Sequence, residues 1–228
     1  FALVKAYQMG ADIVATIDDD NIPLDNWGKQ IFIGDKVEVD EYTTKLEVFD
    51  PIFVTEHNNL WHRGFPIQHV SKRDKELKGK RQIKCLVQAD FWDGDPDIDA
   101  ICRIVQSPEV KFAEFGPFVS DTIAPFNSQN TFLHRDVIPH YMVIPHIGRM
   151  DDIWGGYALQ QEYNPNNEPY VVYNKATVYQ ERNEHDLTVD MEKEMIGYKN
   201  NLKLLKDGYE SVLPDDAKKA FEIYKSLF

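Results

Sequence analysis

The sequence predicts an α/β fold, a mixed and mostly parallel sheet flanked by helices. Two apolar runs and one rhythm predict it. Residues 13–17, Ile-Val-Ala-Thr-Ile, read as apolar throughout, which suits a strand covered on both faces, as in a parallel sheet. Residues 83–92, IKCLVQADFW, read as a second core strand. Around these runs, strand-like stretches alternate with helical ones, the pattern of a layered α/β domain.

The elements follow in order. Residues 1–9 read as the last turns of a helix closing at Gly10. A domain rarely opens in mid-helix, so the chain reads as the later part of a longer protein. Residues 12–17 form the first strand, and NIPLDNW is turn chemistry. Residues 30–55 alternate enough for short strands or an extended loop. The charged run SKRDKELKGKRQ, residues 71–82, reads as a solvated helix or loop. After the core strand at 83–92, DGDPDIDAICRIVQ gives a turn and then a helix, with Asp97 or Asp99 near its start. Strands are expected at 110–115 and 130–134, a helix from about Asp151, and an alternating strand over 169–180. Two amphipathic helices close the chain, roughly 186–206 and 214–227, with Pro214 near the first position of the second. The organisation expected is a main domain over 1–182 and a C-terminal helical extension over 183–228.

Composition bounds the function. The chain has 228 residues, 43% hydrophobic and 12% aromatic, enough for a sizeable core. Acidic residues number 38 against 25 basic, a net charge of −13. That balance argues against nucleic acid, whose backbone needs a basic surface. It leaves room for a small phosphorylated ligand held by local cations or a metal. Cys85 and Cys102 are the only cysteines, too few for a disulfide framework or a zinc site. No apolar run approaches ~18–20 residues, so no membrane span is expected within the chain, and no signal-peptide pattern is present.

Four stretches carry the chemistry. The triplet Asp18-Asp19-Asp20 follows the first strand directly. It would sit at the strand's C-terminal end, the edge of open α/β sheets where ligands bind. Carboxylates at i and i+2 point the same way, so Asp18 and Asp20 can converge on one divalent cation, Mn2+ or Mg2+. A solvated acidic turn capped by Asn21 is the plain alternative. In MDDIWGGY, Asp151 and Asp152 stand at a helix start, where the dipole favours negative charge. One suits a cap and the other, with Asp152 preferred, a base on an acceptor hydroxyl. Gly155 and Gly156 inside that helix cost about 1 kcal/mol each relative to Ala, which a close approach to a ligand or another backbone would explain. In LWHRGFPIQ, Arg63 beside Gly64 suits a pyrophosphate or a carboxylate, or packs over Trp61 at the surface. In FNSQNTFLHRD, Asn127, Ser128, Gln129 and Asn130 suit sugar hydroxyls or a plain turn. His134 is either a further metal ligand or a core histidine.

Taken together, TIDDDN, WHRGFPIQ, VQADFWDGDPDIDAICRI, PFNSQNTFLHRD and DDIWGGY resemble the ordered motifs of the STELLO-type glycosyltransferase family. The likeness covers about residues 10–180, and DGDPDIDAI with FNSQNT is its most specific part. More distantly the order resembles the reversibly glycosylated polypeptides, which are UDP-arabinopyranose mutases. Both resemblances imply a GT-A-like nucleotide-sugar fold in which a DxD carboxylate holds Mn2+ or Mg2+ against a diphosphate. Asp18 and Asp20 then match the DxD pair, and Asp151 and Asp152 match the acceptor-side acidic pair. Arg63 matches the arginine that carries sugar in the mutases. The resemblance further implies substrate contacts by Asp18, Asp19, Arg63, Gly64, Asp95, Asp97, Asn127, Gln129, Asn130 and Trp154. The expected partners are a nucleotide sugar, a UDP-sugar first, and a glycan or protein acceptor; self-association stays open. The chain departs from the family pattern in having only 17 residues ahead of the triplet, where the base- and ribose-gripping half normally stands. It also lacks the membrane anchor of the plant members. Its location reads as cytoplasmic as it stands, and Golgi lumenal if an anchor precedes it.

Overall fold

The computed structural model describes residues 1–106, 108–164 and 168–228. An eight-stranded, open, mixed sheet is built from β1 (Ile13–Ile17), β2 (Asn21–Pro23), β3 (Lys36–Thr43), β4 (Glu76–Lys84), β5 (Val87–Gly94), β6 (Phe118–Ser120), β7 (Asn130–His134) and β8 (Val171–Gln180). The order across it is β1-β7-β5-β8-β6-β3-β4, with β2 paired to β8. Helices α1 (Ala2–Gln8), α2 (Ala100–Gln106), α3 (Asp151–Glu162), α4 (Leu187–Asp207) and α5 (Asp215–Lys225) flank it. Among the described residues no helix is long and apolar enough to cross a membrane.

The α/β class holds, but the sheet is not mostly parallel. Only β5·β8 and β3·β6 run parallel; the other pairings are antiparallel. β1 misled the reading. It is an edge strand in which Ile13 and Ile17 keep 40% and 41% exposure, so an apolar run there is not evidence of cover on both faces. The charged run at 71–82 also differs. Its second half is strand, the outer edge β4, where lysines and an arginine face water, a use of charge that keeps an edge from pairing further. The run at 83–92 is two strands rather than one, because the chain turns at Cys85–Leu86 between β4 and β5. Residues 110–115 form no strand: Val110 bridges to Gly94, and Phe112 and Phe115 pack on Phe91 of β5.

Side chains alternate across the central strands. Val87, Ala89 and Phe91 of β5 and Val171 and Tyr173 of β8 enter the main core, which holds Trp154, Tyr157 and Leu159 of α3. Val172 faces a smaller cluster with Val39, Ile83 and Phe132 on the other side. The main core also holds Leu204, Tyr209, Ala217, Phe221 and Tyr224. The C-terminal helices therefore share one core with the sheet, and residue 182 is not a core boundary.

The glycines of α3 are explained by this packing. A Cβ on Gly155 would lie 2.1 Å from the Met142 carbonyl oxygen, and one on Gly156 would lie 3.0 Å from the Phe126 ring. The close approach is to protein. Gly64 behaves alike: with φ +89°, its Cβ would stand 2.2 Å from Ile153.

Asp99 starts α2, accepting from the Cys102 amide at 2.8 Å and from the Trp61 indole. It is 1% exposed. Burial outweighs these hydrogen bonds, and the negative charge of Glu194 adds to it, pushing the carboxyl up to about 7. An unfolded Asp titrates near ~3.9. Between these values the folded chain holds the extra proton, so this group's contribution to stability falls as pH rises through about 4 to 7. Asp99→Asn keeps an acceptor for the amide and removes the titration. The variant is expected to gain stability relative to wild type on going from pH 5 to pH 8, read from thermal melts at both. A difference between the two proteins that does not change with pH would refute the assignment.

Candidate functional site

The topology brings four chain segments to one end of the sheet. β1, β5 and β8 all end there, and β7 begins there, because β1 and β5 run antiparallel to β7 while β8 runs parallel to β5. Asp18 and Asp20 follow β1, Asp97 follows β5, Gln180 and Arg182 close β8, and Ser128 precedes β7. The start of α3 adds Asp151 and Asp152. These residues, with Arg63, Val143, Gly148, Arg149 and His185, line one cavity of about 290 Å³.

The triplet forms a turn rather than a strand end. The Asn21 amide donates to the Asp18 carbonyl at 3.2 Å, and the Glu181 amide to the Asp20 carbonyl at 3.0 Å. The turn puts Asp18 and Asp20 on the cavity, while Asp19 faces a neighbouring hollow beside Glu181 and Glu184. Asp18 stays open to solvent on one side. The protein around its other side, then the charges of Asp97 and Asp152, push its carboxyl up to about 6 against the pull of Arg63. Asp20 Oδ1 is buried and accepts no hydrogen bond. A buried lone pair with no donor, beside a carboxylate that resists ionisation, is the donor set a hard cation satisfies. No three His, Cys, Asp or Glu side chains form a ready cage among the described residues.

Arg63 is the hinge pin of the opposite wall. Its Nε donates to both oxygens of Asp97, at 2.9 and 3.0 Å, and Nη1 and Nη2 donate to Asp152 at 2.9 Å each. Nη1 also donates to the Arg149 carbonyl. Burial opposes its charge, but Asp152 and Asp97 outweigh burial and hold the guanidinium firmly protonated. Burial likewise works to raise Asp97, and Arg63 and then Arg182 outweigh it, holding that carboxyl well below the usual range. Asn127 adds a hydrogen bond to Asp97 at 2.7 Å.

Asp152 has little left to offer a substrate. Besides Arg63, it accepts from the Ser128 amide at 3.0 Å and its own neighbour Ile153 at 2.9 Å, and it is 5% exposed. Asp151 is the more open of the two. Its Oδ1 takes the Asp152 amide at 3.0 Å, and burial followed by the adjacent Asp152 charge raises its carboxyl. The preference between the pair is therefore reversed: Asp152 is a clamp and Asp151 the carboxylate that can hold or take a proton.

Other expected residues lie elsewhere. His134 ends β7 opposite Ile13, while Asn130 opposes Ile17, so His134 is about 13 Å along the strand from the triplet. It pairs with Asp136 at 3.3 Å and shares no site with Asp18 and Asp20. Trp154 is fully buried and donates to Asn201 at 2.8 Å. Gly64 gives its carbonyl to Tyr157 and Asn201. Asn127, Gln129 and Asn130 are buried and spend their amides within the protein; Asn130, for example, reaches Thr177 at 2.8 Å and accepts from Trp27 at 3.1 Å. These five support the site instead of facing a ligand. Asp95 sits just outside the cavity, paired with Arg103 and Arg182.

Sequence reasoning missed Arg149, Arg182 and His185. Arg149 is fixed from α4 by Glu194 at 3.0 Å and Asp190 at 3.5 Å, which no local pattern announces. Arg182 had a signal: it follows the C-terminal end of β8, and the strand-end rule that picked out the triplet applies there equally. No family model matches this chain, and no curated protein matches it.

Proposed function

We propose that this cavity is the donor site of a metal-dependent glycosyltransferase that takes a nucleoside-diphosphate sugar, a UDP-sugar first. One observation carries the reading: Asp18 and Asp20, the latter with an orphaned buried oxygen, share a cavity with Asp151 and with the cations Arg149 and Arg182. The ordered motifs that resemble the STELLO-type family support the same reading, as does the placing of a carboxylate pair in the turn that follows β1. Asp18 and Asp20 would hold Mn2+ or Mg2+, which when bound neutralises charge growing on a leaving diphosphate. Arg63 keeps Asp97 and Asp152 in place and so shapes the wall. Asp151, with its raised carboxyl, accepts the proton of an acceptor hydroxyl.

The mutase alternative asks Arg63 to attack a sugar. A guanidinium clamped by two carboxylates and held protonated is a poor nucleophile, so the observation favours transfer. A scaffold that keeps the fold without chemistry is the rival of another class. Incubation with UDP-sugars and Mn2+ separates them: release of free sugar or transfer to an acceptor is expected, and none in any donor tested would favour the scaffold. Asp151→Asn is expected to lower turnover by about a hundredfold if configuration inverts, and by less if it is retained, with donor binding kept. Unchanged turnover would remove Asp151 from the mechanism.

A further inference from the structure

The wall facing the acidic turn carries a cation that no step above uses. Arg182 follows β8, and its side chain is 9% exposed. It borders the main cavity together with Asp18 and Asp20, and also a second hollow of about 470 Å³ with Asp19, Asp20 and Asn183. Arg182 thus lines two spaces that share Asp20.

Its bonding is loose for a buried arginine. Nε is buried and makes no hydrogen bond. Nη2 reaches the Pro96 carbonyl at 3.4 Å and Gln180 at 3.3 Å. The nearest carboxylates stand at 3.5 Å (Asp95) and 3.7 Å (Asp97), against 2.9 Å for Arg63 with Asp97. Both carboxylates are already bonded, Asp95 to Arg103 and Asp97 to Arg63. Burial weakens the hold of Arg182 on its proton, and the nearby Arg149 and Arg63 act the same way, opposed by Asp97 and Asp20. Arg63 has two close carboxylates and Arg149 is tied to α4. Arg182 is the buried cation with an idle donor, and an anion would relieve it.

We infer that Arg182 is the anion-contacting residue of this site. Its planar fork would donate to two oxygens of a pyrophosphoryl group, with Asp18 and Asp20 as the residues that would hold a cation on the same cavity. The inference rests on the functional reading above and deepens it. A cation site at the turn with a guanidinium on the same cavity suits a ligand with two adjacent phosphates, one for each. The planar fork suits two oxygens, which a lysine would serve only as a point charge.

Titration calorimetry on the full chain, with Mg2+ and either inorganic pyrophosphate or inorganic phosphate, tests it. The proteins are wild type, Arg182→Gln, Arg182→Lys and Asp20→Asn, each with a thermal melt. Pyrophosphate affinity is expected to fall about ten- to a hundredfold in Arg182→Gln, the scale of a charge-assisted hydrogen bond. Arg182→Lys should lie between, and phosphate should bind weakly to all. Pyrophosphate binding lost in Asp20→Asn yet unchanged in Arg182→Gln would overturn the role of Arg182 and leave the cation site standing. No pyrophosphate binding by wild type would overturn both. Equal losses for phosphate and pyrophosphate in Arg182→Gln would overturn the two-phosphate requirement. If Arg182→Gln does not fold, Arg182→Lys decides, and affinity equal to wild type would overturn the bidentate contact.

Discussion

On the proposed reading, Asp20→Ala is expected to lower turnover of a nucleoside-diphosphate sugar on the order of a thousandfold, since a catalytic cation would supply several kcal/mol of charge stabilisation. The motive is specific to Asp20. Its Oδ1 is buried with no donor, whereas Asp18 has an open side and a carboxyl pushed up by its surroundings. Removing Asp20 leaves Asp18 without the carboxylate that shares its turn. Folding should be little affected, because no protein hydrogen bond to that oxygen is lost. Calorimetry with Mn2+ and UDP should show binding by wild type that vanishes in the variant, with the melting temperature kept. Binding of equal strength in both would sink the metal site. A variant that loses binding only because it has unfolded would show itself in the melt, and Asp20→Asn then repeats the test with the shape preserved.

Much of the frame was legible because it is local. β7 and the start of α3 follow from patterns a few residues long, and so do the two C-terminal helices. The acidic triplet was legible for a reason that proved partly wrong: a turn, not strand alternation, turns Asp18 and Asp20 to one side. The sheet order was not legible, because pairing is set by contacts far apart in sequence. The exposed Ile13 and Ile17 of β1 look the same in a string of letters as the buried Val171 and Val172 of β8. The roles within the site were least legible. Asp151 and Asp152 are neighbours with one chemistry, and only the position of Arg63, 89 residues from Asp152, decides which is clamped. The polar run at 127–130 suited sugar hydroxyls or a plain turn alike, because its side chains are good at hydrogen bonding. The fold spends Asn127, Gln129 and Asn130 on holding Asp97, β7 and β8 together, and leaves Ser128 on the cavity.

Arg63→Ala is expected to destabilise the protein by about 3–5 kcal/mol, the scale of breaking a buried ion pair from one side. The change removes the shared donor of Asp97 and Asp152, which are 3% and 5% exposed. Two buried carboxylates would then face each other across the space it left, with Asp18 already disfavoured by both. Asp152 would keep the amides of Ser128 and Ile153, and Asp97 would keep Asn127 and a distant Arg182, so the loss should stay short of the full cost of two bare charges. Arg63→Lys should recover only part. A lysine can approach one carboxylate but cannot present Nε to Asp97 and both Nη atoms to Asp152 at once. The double variant Asp97→Asn/Asp152→Asn separates charge from shape. In that background Arg63→Ala should cost much less, because the carboxylates that needed the cation are gone, and the difference between the two backgrounds measures the coupling. Denaturant melts of the four proteins read it. Equal costs of Arg63→Ala in both backgrounds would show that Arg63 acts by packing rather than by holding the two carboxylates, and the wall of the cavity would then owe its shape to something other than this clamp.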